Sequence, residues 1–314
     1  MEGMLIYNPT AGRFPSLLMV ERAANLLRDH DWEITMARTN TAQDISRFSR
    51  KAVEDKLDAV FIAGGDGSVH QAAAGLLGSK TALGVLPAGT ANVWAQELGL
   101  PGLSWTNWNA LEGSVKKLLN GQVRTVDVGV CQDRPFLLWA GMGFDAFIVH
   151  HLEPRSRLEK QLAVPQYAAN LAWYAMEWPG MDLEICVDQQ PISGSFILAL
   201  VSNVHLYAGG LAKLSEQSRI DDQQMELWLF SGNSLATTMQ HVWNVITGSH
   251  KRSDQVSRYP CQQIQIQSEE EIYLQLDGEP LPPTREIEIH IEPKALRVLV
   301  PKDLPRQLFS EDVV

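Results

Sequence analysis

Five consecutive apolar residues, Ala59–Ala63, run directly into Gly64-Gly65-Asp66-Gly67-Ser68. An unbroken apolar run of strand length belongs to a strand covered on both faces, which is the habit of parallel sheets. Parallel strands need crossover connections, usually helices, and the flanking sequence supplies them. Met4–Tyr7, Glu33–Ala37, Ala59–Ala63 and Ala82–Leu86 read as strands. Ser16–Asp29, Ala42–Glu54, Ser68–Leu77 and Asn92–Leu98 read as helices, the first with Leu17, Val20, Ala24 and Leu27 on one face. Gly99 is placed to end the last of them. The alternation predicts a doubly wound parallel α/β domain over residues 1–124. Ligands of such sheets bind at the carboxyl ends of the strands, where the glycine loops fall.

From about Arg124 the period changes to two. Candidate strands are Thr125–Cys131, Phe136–Ala140, Asp182–Asp188, Ser195–Val201, Met225–Phe230, Gln262–Gln267, Ile272–Leu276, Glu286–Ile291 and Leu296–Val300. Two helices interrupt them, near Gln166–Glu177 and Leu235–Thr247. This predicts a C-terminal antiparallel β-sandwich-like domain over residues 125–300. The overall class is α/β plus all-β. Residues 301–314 form a tail that packs back on the first domain or stays loose.

Charge divides the chain at the same place. Residues 1–124 carry 12 basic and 12 acidic side chains; residues 125–314 carry 14 and 25, so the whole formal charge of −11 lies in the second part. An acidic surface excludes nucleic acid as the main partner, because phosphate-backbone binding needs basic residues. Cys131, Cys186 and Cys261 are far apart and form no CxxC pair. They read as reduced thiols of a cytoplasmic protein. The N-terminus lacks the basic and apolar regions of a signal peptide, and no segment reaches the ~20 apolar residues of a spanning helix. Contact with a membrane, if made, is peripheral.

The chemistry is concentrated in three loops at one sheet edge. In Gly64-Gly65-Asp66-Gly67-Ser68 the glycines let backbone N–H groups approach a ligand. The following helix N-terminus favours a phosphate, and Ser68 is available to cap it. Asp66 beside a phosphate calls for an intervening Mg²⁺, or for a structural role bracing the loop. Pro87-Ala88-Gly89-Thr90-Ala91-Asn92 follows the next strand, with Thr90 either a phosphate donor or, more readily, a helix cap. Asn8-Pro9-Thr10-Ala11-Gly12 ends the first strand. Neither GxxxxGK[ST] nor GxGxxG occurs.

The ordered set resembles the catalytic domain shared by diacylglycerol kinases, sphingosine kinases and bacterial lipid kinases. The likeness continues through Val126-Asp127-Val128-Gly129, Ala140-Gly141-Met142-Gly143-Phe144-Asp145, Tyr207-Ala208-Gly209-Gly210, Ile220-Asp221-Asp222 and Leu276-Asp277-Gly278-Glu279-Pro280. The resemblance implies ATP bound between two domains, a lipid substrate, and transfer of the γ-phosphate to the lipid hydroxyl. It implies nucleotide contacts from Asn8, Thr39, Gly64, Gly65, Asp66, Gly67, Ser68, Val69, His70, Gly89, Thr90 and Asn92. It places catalysis on Glu279 as proton acceptor, with Asp277 and Asp66. It implies Mg²⁺ held by Asp222 with the carbonyls of Arg219 and Gln224. From the residues alone, Asp277-Gly278 reads as a hairpin turn.

Four positions depart from the family pattern. His70-Gln71 stands where Asn-Glu is usual, Val93 where Asp is usual, and Gln223 where Gly follows the Asp-Asp pair. Two acids are therefore missing near the expected metal. A non-catalytic lipid- or nucleotide-binding protein and a soluble-substrate kinase of NAD-kinase type are the alternatives. Elsewhere, Arg155, Arg157 and Lys160 precede Trp173, Tyr174 and Trp178, in either a membrane-docking segment or, more simply, a half-buried helix. Trp105 and Trp108 share a loop, and His150-His151 lacks a third ligand at metal-binding spacing.

Overall fold

A computed structural model describes residues 1–8, 17–41, 43–103, 107–152, 178, 180–304 and 307–310. Strands β1 (Glu2–Tyr7), β2 (Glu33–Arg38), β3 (Ala59–Gly64) and β4 (Ala82–Pro87) lie in the order β4-β3-β1-β2, all parallel. β3 and β4 are buried at every position, as their apolar runs require. Helices α1 (Leu17–Arg28), α2 (Gln43–Glu54), α3 (Asp66–Leu76), α4 (Val93–Glu97) and α5 (Ala110–Leu119) complete this part. α1 packs with α5, and α2 with α3.

β1 has β2 on one side and β3 on the other, so the strand order reverses between β1 and β3. Open α/β sheets take their ligands at such a switch point. Tyr7-Asn8 and Gly64-Gly65 border it. α3 starts at Asp66 with Gly65 in the cap position. Ser68 therefore lies inside the first turn and is not the cap. α4 ends as expected: Gly99 has φ 64°, its N–H donates to Gln96 O (3.0 Å), and Leu100 N–H donates to Ala95 O (2.9 Å).

The second part contains β5 (Gln122–Cys131), β6 (Arg134–Phe136), β7 (Trp139–Gly143), α6 (Phe144–Leu152), β8 (Met181–Val187) and β9 (Gln190–Ser202). A small hairpin, β10 (Leu206–Tyr207) and β11 (Ala212–Lys213), precedes β12 (Met225–Ser231) and α7 (Leu235–Thr247). β13 (Val256–Cys261), β14 (Gln263–Leu276) and β15 (Glu279–Val300) finish it. β9 pairs with β8 through Gln190–Phe196 and with β7 through Leu198–Ser202. β14 pairs with β8 through Ile264–Gln267 and with β7 through Leu274–Leu276. Two long strands thus carry the hydrogen bonding around both corners of a sandwich. Its interior holds Met142, Leu183, Ile185, Phe196, Leu227 and Ile266.

Where the sequence reads as two strands separated by polar residues, the chain keeps one long strand with a register shift. In β14 the shift covers Ser268-Glu269-Glu270-Glu271, whose glutamates are exposed. In β15 it falls between Glu292 and Leu296, and Val298 then pairs with Leu83 of β4. The chain so returns to the first sheet. The tail meets both parts: Lys117 binds Asp303 (2.7 Å), while Ile220 N–H donates to Leu308 O and Arg124 lies over Phe309.

The expected helix near Gln166–Glu177 lies outside the described residues, as do Pro9–Gly12, Arg155, Arg157, Lys160, Trp173, Tyr174 and Trp105. Trp178 is buried, and its indole N–H donates to Ile197 O (3.0 Å). His150 and His151 bond to the carbonyls of Leu274 and Phe147. The three thiols are free, and burial pushes Cys131 and Cys261 up to about 12.

Gly129 of β5 pairs with Phe136 of β6, and the Phe136 ring lies across it. A Cβ on Gly129 would stand 2.2 Å from the ring. Gly129→Ala should therefore lower unfolding free energy by about 1–3 kcal/mol in urea titration, the usual cost of overpacking.

Candidate active site

The two glycine loops at the sheet edge touch through their backbones. A Cβ on Gly89 would stand 2.4 Å from Gly65 Cα, and one on Gly65 would stand 3.2 Å from Gly89 Cα. No side chain fits between them. Asn92 holds the second loop closed: its Oδ1 accepts from Gly89 N–H (2.8 Å), and its Nδ2 donates to Gly89 O (2.9 Å). Asn92 itself sits in the left-handed region at φ 54°, which asparagine tolerates. Thr90 remains exposed at the tip. It does not cap α4, whose cap position is Asn92.

Asp66 serves that helix instead. Its Oδ1 accepts from Trp94 N–H at 3.1 Å. Burial pushes its carboxyl above the usual range, against the pull of the Val93, Trp94 and Asn92 N–H groups. Of the two readings of Asp66, the geometry displays the brace. Thr39, buried at the end of β2, donates through its N–H and Oγ1 to Tyr7 O. Thr39 and Asn8 thus stand at the ends of adjacent strands on the same edge.

Asp277 joins this edge to the sandwich. Its Oδ1 accepts from Leu138 and Trp139 N–H (2.8 and 3.1 Å), and its Oδ2 from Leu137 N–H (2.9 Å). Oδ2 also lies 2.9 Å from His70 Nδ1, on α3. Burial alone would push the His70 imidazole down. The hydrogen bond and charge of Asp277, with the charge of Glu279, carry it above its ordinary 6.5. Asp277 and Gly278 have φ 52° and 88°, the tight turn between β14 and β15 that the dipeptide predicts. The turn delivers Glu279 onto the first loop: a Cβ on Gly67 would stand 3.1 Å from Glu279 Oε1. A carboxylate from the sandwich therefore sits over the first turn of α3, which carries Gly67, Ser68 and Val69.

Several contributors were not legible as site residues. Gly278 N–H donates to Gln275 Oε1 (2.7 Å), and Gln275 Nε2 donates to Asp145 Oδ2 (3.0 Å), which also accepts from Tyr207 OH. Burial pushes the Asp145 carboxyl up to about 6. Glu97 of α4 pairs with His205 (3.1 Å) and accepts from Leu206 N–H, a second tie between the two parts. The signal present in the sequence was an acid, Asp145, within a glycine-rich strand end. Its partners are up to 130 residues away.

The departures from the family pattern have local explanations. Gln71 Oε1 accepts from Ser46 Oγ of α2 (2.8 Å), and Val93 is packed in the core. Gln223 has φ 64°, the backbone state that glycine adopts without cost. Its N–H donates to Asp127 Oδ2, while Lys294 N–H donates to Asp127 Oδ1. Asp222 Oδ1 accepts from Gln224 N–H (3.0 Å). Burial, with Asp127 and Asp221 nearby, pushes the Asp222 carboxyl up. Among the described residues, no group of three His, Cys, Asp or Glu side chains is arranged to hold a metal. A cation here would rely on one carboxylate and backbone carbonyls. Such hard oxygen donors suit Mg²⁺, and the crowded acids would gain from its charge.

Residues 2–131 match the family model described as the diacylglycerol kinase catalytic domain. Residues 139–300 match the one described as the YegS C-terminal NAD kinase beta sandwich-like domain. The chain belongs to the family that joins a diacylglycerol kinase catalytic domain to a YegS-type C-terminal domain. A diacylglycerol kinase of Bacillus subtilis is 26% identical, with 97% of this chain and 98% of the relative aligned. A Klebsiella pneumoniae protein named "Probable lipid kinase YegS-like" is 28% identical over 96% of this chain and 97% of its own. The crystal structure of a diacylglycerol kinase from Bacillus anthracis superposes with a TM-score of 0.73 at 19% identity, covering 97% and 98% of the two chains. That likeness confirms the α/β plus β-sandwich fold.

Two measurements check the local physics. Gln223→Gly should raise unfolding free energy by about 0.5–1 kcal/mol, because it relieves a left-handed non-glycine residue. The His70–Asp277 pair should stabilise the fold fully below about pH 6.5 and less as pH rises through the raised His70 value. In urea titrations between about pH 6 and 9, His70→Asn should therefore lose less stability than wild type.

Proposed function

We propose that the protein is an ATP-dependent lipid kinase that transfers the γ-phosphate of ATP to a lipid hydroxyl. The observation that carries this reading is the contact of Glu279 with Gly67. It puts a carboxylate from the sandwich above the N-terminal turn of an eleven-residue helix. Helix N-termini and glycine loops favour phosphate. Phosphoryl transfer then needs positioning, charge neutralisation and one group to take the hydroxyl proton.

Each part has a residue. Gly64, Gly65, Gly67, Ser68 and Val69 line the phosphate side, with Gly89, Thr90 and Asn92 forming the facing loop. Thr39 and Asn8 lie along the edge towards β1 and β2. His70, held by Asp277, brings an imidazole close to Glu279, with a proton affinity raised by both carboxylates. Glu279 Oε1 takes the proton of the attacking hydroxyl. Asp277 orients both His70 and the turn, and Asp66 holds the second loop through α4. Asp222, with the carbonyls of Arg219 and Gln224, would hold Mg²⁺, which supplies positive charge against the acids around Asp127. The domain division at residue 124 is retained as part of this reading, with ATP met by the first part and lipid by the second. The names of the relatives support a lipid acceptor.

The direct test is incubation with Mg·ATP and a total lipid extract, followed by mass spectrometry for a species that gains one phosphate. Phosphorylation of soluble nucleotides in place of lipid would move the reading to a NAD-kinase type. Glu279→Gln should lower kcat by roughly 10²–10⁴-fold while the fold persists by circular dichroism; a near-normal rate would remove Glu279 as the base. Asp66→Ala should abolish transfer. It should also cost about 1–3 kcal/mol of stability, because the α4 N–H groups lose a buried acceptor.

A further inference from the structure

α7 (Leu235–Thr247) has 13 residues and no Asp, Glu, Lys or Arg, in a chain that is 20% charged. Thr238, His241 and Val245 face the protein. That is the one inward face a surface helix needs. A second apolar face lies beside it. Leu235, Met239, Trp243 and Ile246 are 39, 42, 67 and 60% exposed. At 3.6 residues per turn they fall within an arc of about 80°.

The helix is firmly seated. Ser234 Oγ accepts from Thr237 N–H, His241 Nε2 lies 2.9 Å from Ser231 O, and Gly248 at φ 73° ends it. The exposed stripe is therefore a fixed feature of the surface. α7 packs against β11, and the turn before β11 carries Leu211, which is 83% exposed. This hairpin reaches the candidate active site from its other side. A Cβ on Gly209 would stand 3.7 Å from Ala91 of the second glycine loop, and Tyr207 OH donates to Asp145.

Charge singles out the same region. The second part of the chain is acidic as a whole, yet the segments adjoining α7 carry the exposed Lys213, Lys251 and Arg252, with Glu216 and Asp254 as exposed acids among them. Glu216 pairs with Lys251 (2.9 Å), which with Lys213 holds its carboxyl below the usual range, so Lys213 and Arg252 carry the basic character of these segments. Exposed leucine, isoleucine and methionine beside a tryptophan, with a basic rim, match a lipid interface. A second copy of the chain is the weaker candidate. A stripe one helix wide and about 20 Å long offers far less than the ~800 Å² per partner of a stable dimer.

We propose that the exposed face of α7, together with Leu211, seats on a membrane surface containing anionic lipid and holds the active-site edge against it. The proposal rests on the reading that the acceptor is a lipid, but its test needs no turnover. The full-length protein is sedimented with vesicles of phosphatidylcholine alone and with about one quarter phosphatidylglycerol. Wild type should bind, and more tightly to the anionic vesicles. Met239→Ser with Trp243→Ser should lower the partition coefficient by about tenfold or more. Leu211→Ser, on a separate element, should lower it independently. Circular dichroism confirms that both variants fold.

Unchanged vesicle binding in both variants overturns the proposal. A loss of oligomer mass in gel filtration without a change in vesicle binding also overturns it, because the stripe would then cover a second copy. Both variants should keep their activity on lipid dispersed in detergent while losing it on vesicles. Wild type that binds vesicles through this face but phosphorylates no lipid would support the docking surface and reject the kinase reading.

Discussion

The carboxylate of Asp277 is the joint on which the site depends. Three backbone N–H groups of Leu137–Trp139 and the imidazole of His70 converge on its two oxygens. A buried carboxylate is expensive unless such partners are supplied. Here they come from both parts of the chain, so satisfying one charge fixes the relation between them. The β14–β15 turn cannot move without unpairing Asp277. Glu279, two residues on, inherits that constraint and is held over Gly67.

Around this joint the rest of the edge is braced by short polar links. Asn92 closes the second loop on itself, Asp66 holds the start of α4, and Glu97 fastens its end to His205 and Leu206. Asp145 and Gln275 support the turn from beneath. Each link pairs a polar group that burial would otherwise leave without a partner. On the proposed reading, glycine and backbone N–H groups meet the phosphates and Glu279 meets the acceptor, while Asp66, Asn92 and Asp277 act one step behind them. A cavity of about 730 Å³, lined by Met1, Asp58, Thr81 and Arg297, lies at the opposite ends of the strands, away from all of this.

Much of the fold was legible because burial imposes a period. The unbroken runs of β3 and β4 and the alternation in β8 leave few other arrangements. α7 was read with its observed bounds. α6 was missed because Phe144–Leu152 is apolar nearly all round and shows no helical stripe. β14 and β15 were each split in two, because their bulges fill the connecting positions with polar residues. At the site, Ser68 and Thr90 looked like caps by residue type. Gly65 and Asn92 hold those positions, because the loops must turn where backbones touch. The identities in the resembling motifs were informative, but they did not reveal that Asp66 reaches α4 or that Gln71 turns to Ser46.

Local sequence alone carries the two-part organisation, the carboxyl edge of parallel strands with its glycine loops, and the tight turn at Asp277-Gly278. These follow from apolar periodicity and from backbone states that few residues adopt, both of which are local properties. Packing between the two parts brings Asp277 to His70 and Glu279 over Gly67, and it leaves one face of α7 uncovered. The first two join residues 207 positions apart or more. They depend on how two sheets pack, and no local preference along the chain encodes that distance.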